Sequence, residues 1–151
     1  MKMERFKKFL AIAVLSCLVT FCASGQDIDR RLWGVWSLDS VEITTNQITR
    51  KYKLTELLAN KNNLPRNMLI ELYFVQTHVG IKTTETFFDD IEIGDQKGFF
   101  STNQGQLTLR LTKWATRTFN YEVEEKRLKV WYSQESVSYY LIFKLTFEPV
   151  K

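Results

Sequence analysis

Residues 32–41, LWGVWSLDSV, place Trp33 and Trp36 on either side of a Gly-Val pair at the head of an alternating run. Trp36, Leu38 and Ser40 fall two apart, the period of a strand with one face buried. Gly34 immediately ahead allows close backbone approach at a crowded end, and an indole there buries a large apolar area. The stretch reads as the start of a first strand and a plug for one end of a β structure. Its alternation then slips, because Val41 and Ile43 fall on the face opposite Trp36 and Leu38. Either a bulge intervenes or both faces are covered.

Outward from that strand, period-two patterns recur between short polar turns. Residues 117–123, RTFNYEV, set Phe119, Tyr121 and Val123 against Thr118, Asn120 and Glu122, and the pattern resumes in Leu128, Val130 and Tyr132 after Glu124-Glu125-Lys126. This is a half-buried antiparallel hairpin. Phe100, Leu107 and Leu109 precede Tyr121, Leu128 and Val130 by a constant interval, with Asn103-Gln104-Gly105-Gln106 at the turn, so the chain repeats a hairpin as a meander does. Further strands are expected at 68–76, 79–88, 91–93 and 137–147, which with 35–43 makes about eight to nine. One segment is helical by spacing: Leu54, Leu57 and Leu58 fall at i, i+3 and i+4, and Pro65 follows. The expectation is all-β, an antiparallel up-and-down barrel with one short helix between strands 1 and 2.

The chain's 151 residues begin with MKMERFKK and an uncharged apolar run, FLAIAVLSCLVTF, at 9–21. A basic n-region and an h-region too short to span a bilayer are the marks of a signal peptide. Ala23 and Gly25 suit cleavage before Gln26, giving a signal peptide at 1–25 and one barrel domain at 26–151. The alternative is a lipoprotein, acylated on Cys22 or Cys17, with a lipid anchor as the membrane contact. Without residues 1–25 the 21 basic and 17 acidic side chains become 17 and 16, net +1, so charge makes no case for nucleic acid. That mature chain would also lack cysteine, which excludes disulfides and thiolate chemistry.

Gly34-Val35-Trp36, a helix-bearing crossover and an up-and-down meander together resemble the lipocalin-like, or calycin, superfamily of secreted bacterial barrels. The resemblance implies that Trp36 plugs the closed end beside Gly34, with a last-strand cation on its ring. Lys144 is the candidate, where an arginine is usual in that family.

No catalytic constellation is visible. His78 is the single histidine, expected in a turn, and no Gly-x-Ser-x-Gly or His-Glu-x-x-His occurs. Asp89, Asp90, Glu92 and Asp95 lack the spacing of a calcium loop. The expectation is therefore a non-enzyme without cofactor or metal. Aromatic residues are the stronger signal, since a barrel of eight strands is either filled by such side chains or holds one small ligand. Phe74, Phe100, Leu109, Phe119, Tyr121, Val130 and Tyr140 are expected along a pocket wall for a small apolar or amphipathic molecule, with the 54–59 helix as a lid. The competing expectation is a filled barrel that binds an envelope protein or glycan through outward aromatics such as Trp114 and Trp131.

Overall fold

The computed structural model describes residues 27–59, 68–84, 96–112 and 114–149. A 3-10 turn at Arg30–Leu32 leads into β1 (Gly34–Thr45) and β2 (Ile48–Lys53), then the helix α1 (Leu54–Ala59). The rest is a meander of β3 (Leu69–Val75), β4 (His78–Thr83), β5 (Lys97–Asn103), β6 (Gln106–Leu111), β7 (Arg117–Glu124), β8 (Arg127–Gln134) and β9 (Val137–Phe147). Every pairing is antiparallel, and β9 returns to β1, closing the sheet. Eight strands form the barrel. The ninth, β2, lies along the upper half of β1 from Ser40 to Thr45, while β3 pairs with its lower half from Gly34 to Ser37.

The helix thus follows the second strand rather than the first. Asn46 and Gln47 take positive φ values of 48° and 66°, the two-residue geometry that matches the twist of a hairpin. Ile48, Arg50 and Tyr52 then alternate with Thr49, Lys51 and Lys53 before α1. Glu56 accepts a hydrogen bond from the Lys53 N–H at 3.0 Å, half of a capping box that starts the helix there.

The slipped alternation of the first strand is a bulge. Leu38 is opposite Phe143 and Ser40 opposite Ile142, so Asp39 is the extra residue. Leu38 and Val41 both reach the interior as a result, and the Asp39 carboxylate swings out to the Lys144 ammonium at 2.7 Å. Of the predicted 79–88 strand, β4 covers His78–Thr83, starting one residue earlier, and 85–88 lie outside the described residues. The predicted 91–93 strand, the acids at 89–95 and the targeting segment at 1–25 lie outside the described residues.

Inward side chains meet in one core. Trp36, Leu72, Phe74, Leu107, Leu128, Val130, Leu141 and Phe143 are wholly buried. Phe74 and Phe100 meet edge-on with ring centres 4.7 Å apart, a favoured aromatic geometry. The wholly buried side chains have no accessible surface, so no water-sized gap adjoins them.

Candidate functional site

The closed end is built first by the chain that crosses it. The Trp36 indole N–H donates to the Leu32 carbonyl oxygen at 2.7 Å, tying the plug to the 3-10 turn. Asp29 fastens that turn to the barrel. Its carboxylate accepts from the Tyr121 hydroxyl at 3.0 Å and from the Arg31 guanidinium at 2.7 Å, and its N–H donates to the Thr102 hydroxyl at 2.9 Å. The hydrogen bonds from Arg31 hold the Asp29 carboxyl below the usual aspartate range. Burial, and then the bond to Asp29, push the Tyr121 phenol up. Tyr121 faces inward, but its hydroxyl is committed to this latch.

The cation expected on the Trp36 ring does not come from Lys144. Strand alternation places Lys144 opposite Ser37 on the outer face, where it meets Asp39, while Trp36 points inward and is fully buried. A cation does stack at this end, on the other tryptophan: the Arg30 guanidinium lies 5.5 Å from the centre of the Trp33 ring, and the Trp33 indole N–H donates to the Gln76 carbonyl oxygen.

Of the residues expected along a pocket wall, Phe74, Phe100, Leu109, Phe119, Tyr121 and Val130 face the interior. Tyr140 does not. It is opposite Trp131 on the outer face, the two rings stack at 6.4 Å, and the Lys129 ammonium lies over both. The inward tyrosine of the last strand is its neighbour Tyr139. Phe74, Phe100, Leu109 and Val130 are core, at most 1% exposed, and Phe119 is buried beside Tyr132.

Above Phe119 the inner wall changes character. Tyr132 meets Phe119 edge-on at 5.5 Å and stacks on Tyr139 at 5.1 Å. Burial, with Tyr139 as second cause, pushes the Tyr132 phenol up to about 12. Ile43 stands opposite Tyr139 on one side and Arg50 on the other, and Leu57 brings α1 into the core beside β1 and β2. A concave pocket of about 340 Å³ opens here, lined by Ile43, Thr45, Asn46, Ile48, Arg50 and Tyr52. Its size falls in the ordinary range for a small-molecule site, roughly 300–1,000 Å³. A broader hollow of about 800 Å³ lies at the other end against Glu124, Glu125, Lys126, Arg127, Lys144 and Leu145. Its lining alternates charge and offers one apolar residue, so it has little with which to hold an apolar body.

The residues missed by sequence reasoning are those of β2, together with Tyr139; Tyr132 is read there on the buried face with Leu128 and Val130 but not along the pocket wall. Their signals were alternation in ITRKYK and the parity of Leu128, Val130, Leu141 and Phe143. His78 opens β4 as an exposed residue, 4.9 Å from the Phe99 ring. Among the described residues no group of three potential ligands is placed to hold a metal ion.

The buried core, the aromatic upper wall and the lateral pocket belong to a small closed antiparallel β-barrel. Comparison of the chain with known protein families, curated proteins and solved structures finds no match.

Proposed function

We propose that this protein is an exported, lipocalin-like barrel that binds a small amphipathic molecule non-covalently at its upper end, contributing a shaped surface and no catalysis. The observation that carries this reading is the contrast along the barrel axis. The described core side chains Trp36, Phe74, Phe100, Leu107 and Val130 are buried, whereas at the upper end Ile43 and Tyr52 line a pocket of about 340 Å³, with the Tyr132–Tyr139 stack on the same inner face. Apolar walls with a few polar groups are the usual composition of such sites. Export rests on the n-region and h-region at the start of the chain, and membership of the calycin superfamily on Gly34-Val35-Trp36 and the closed meander.

Native mass spectrometry of protein purified from its own envelope tests the reading. An adduct of a few hundred daltons, a size that fits such a pocket, is expected and should leave on gentle unfolding. A bare protein that also fails to take up any added amphiphile would overturn carriage; a diacylglyceryl mass on cysteine would establish the lipid anchor in the same spectrum.

A second reading has its own observation. Tyr73, Phe99 and Phe147 are exposed to 45%, 53% and 58% on the outer face, on three of the five successive strands β9, β1, β3, β4 and β5. Exposed aromatics on a filled barrel suit capture of an envelope protein or glycan. Tyr73→Ser with Phe99→Ser should abolish that capture and leave the upper pocket unchanged.

A further inference from the structure

The exposed hydrophobic side chains of the barrel are gathered rather than scattered. Among the described residues Ile48, Tyr73, Phe99 and Phe147 are the large hydrophobics left exposed, and the last three share one outer face near the closed end. The strand registers join them. Val35 stands opposite Phe147 on one side and Tyr73 on the other, Val75 follows Tyr73 two residues on and faces His78, and His78 stands opposite Phe99. The His78 and Phe99 rings lie 4.9 Å apart, and Trp33, half-buried, is tied to the Gln76 carbonyl at the adjoining turn. Neither hollow described above includes any of these residues. They form a strip on the convex wall of the barrel, where outward-pointing rings make no cleft to enclose a sugar ring or a peptide side chain.

The chain ahead of the described residues leaves from the same place. Asp27, the first described residue, offers its carbonyl oxygen to both the N–H and the hydroxyl of Thr102 at 2.8 Å, on β5, the strand that carries Phe99. The apolar run at 9–21 ends six residues earlier, at Phe21, and six residues span at most about 20 Å. Where that run or an acylated Cys22 sits in a bilayer, the closed end is held beside it. We infer that the strip of Trp33, Val35, Tyr73, Val75, Phe99 and Phe147 docks on the envelope bilayer, its rings entering the boundary between headgroups and acyl chains. Aromatic side chains favour that boundary, a bilayer conforms to a convex wall, and a single weak anchor needs a second contact for stable attachment. The upper pocket then faces away from the membrane. This inference rests on export and gives the outer face of the second reading above a lipid occupant; binding at the upper end is independent of it.

Every described element lies after residue 26, so the test uses the mature chain, residues 26–151, which carries no acyl group of its own. Flotation with phosphatidylcholine vesicles in about 0.5 M sodium chloride is expected to carry the protein, because these vesicles have no net charge and such salt screens surface charges within about half a nanometre. Tyr73→Ser with Phe99→Ser should weaken partitioning roughly tenfold, the scale of two half-exposed rings losing their apolar burial, and adding Phe147→Ser should weaken it further. Tyr140→Ser, which removes an outer ring from another wall, should leave it unchanged. All four side chains reach the surface, so each variant should keep the amide spectrum of the folded barrel. Protein that does not float, or flotation weakened equally by Tyr140→Ser, would overturn membrane docking and leave the upper-end reading standing. In that event, a dimer that the double variant dissociates would assign the strip to a second copy of this chain, whereas retention on isolated envelope polysaccharide, lost in the double variant, would assign it to a glycan.

Discussion

Trp33 and Trp36 are three residues apart and unequal. Trp36 is fully buried and bonded to Leu32, so truncation leaves a large void among side chains that cannot collapse into it; Trp36→Ala should cost about 3–5 kcal/mol. Trp33 is half-buried, with its N–H on Gln76 and one face under Arg30, so Trp33→Ala should cost nearer ~1 kcal/mol. Urea denaturation of the two variants measures both, and equal losses would show that the plug is misassigned. Asp29 gives the same end a pH limit. Its folded pKa lies below its unfolded value, so its contribution is complete above the ordinary aspartate pKa of about 3.9 and is lost as pH falls through the folded value. Asp29→Asn should flatten the acid limb of the stability profile below about pH 4, with little further change above it. Gly34, at φ 135°, is the position where a side chain would meet the Phe147 carbonyl and the Leu145 side chain, which is why Trp36 is introduced by a glycine.

At the scale of elements, turn chemistry decides more than strand propensity. The Asn46-Gln47 turn holds a glutamine at φ 66°, where glycine is the preferred residue of a two-residue hairpin. Gln47→Gly should therefore raise stability by about 0.5–1 kcal/mol, read as a higher thermal midpoint. Destabilisation would mean that the glutamine side chain does something there which its backbone does not reveal. The same turn explains why β2 was hard to read. Two non-glycine residues at positive φ leave no Asn-Gly signal, and ITRKYK is too charged to look like a strand until Ile48, Arg50 and Tyr52 are seen to share a face. The later hairpins were legible because each buries one face against a polar one: Phe119, Tyr121 and Val123 oppose Thr118, Asn120 and Glu122. In β9 both faces are aromatic or apolar, and the phase was lost by one residue, giving Tyr140 for Tyr139. Lys144 held the correction. A lysine that points to solvent puts Tyr140 and Ile142 outside with it, but the resemblance had drawn that lysine towards the tryptophan plug. The interior residues were therefore found, while the pocket, which depends on β2 and on that phase, was not.

Over the whole molecule, the buried core and the pocket at the upper end are separate parts of the barrel. That division decides which substitutions report on binding: changes at Phe74, Phe100 or Val130 alter stability, whereas changes at Arg50 or Tyr52 alter what the pocket can hold. Closure itself depends on β1, whose lower edge is held by β3, upper edge by β2 and opposite edge by β9 along nearly its full length. The Thr146 hydroxyl, near the end of β9, donates to the Val35 carbonyl 111 positions earlier. A contact across so many intervening residues carries a large loop-closure entropy, and pairings of that kind slow folding relative to local hairpins. The meander from β3 to β8 can zip between neighbours as it emerges, but the β1–β9 seam has to wait for the last strand to be synthesised. Until then the chain is an open sheet with two unpaired edges, β1 and β8, both rich in apolar residues and ready to pair with another chain. The single seam that closes the finished barrel, leaving only the short β2 with an open edge among the described strands, also fixes the interval in which the newborn chain is most exposed to aggregation.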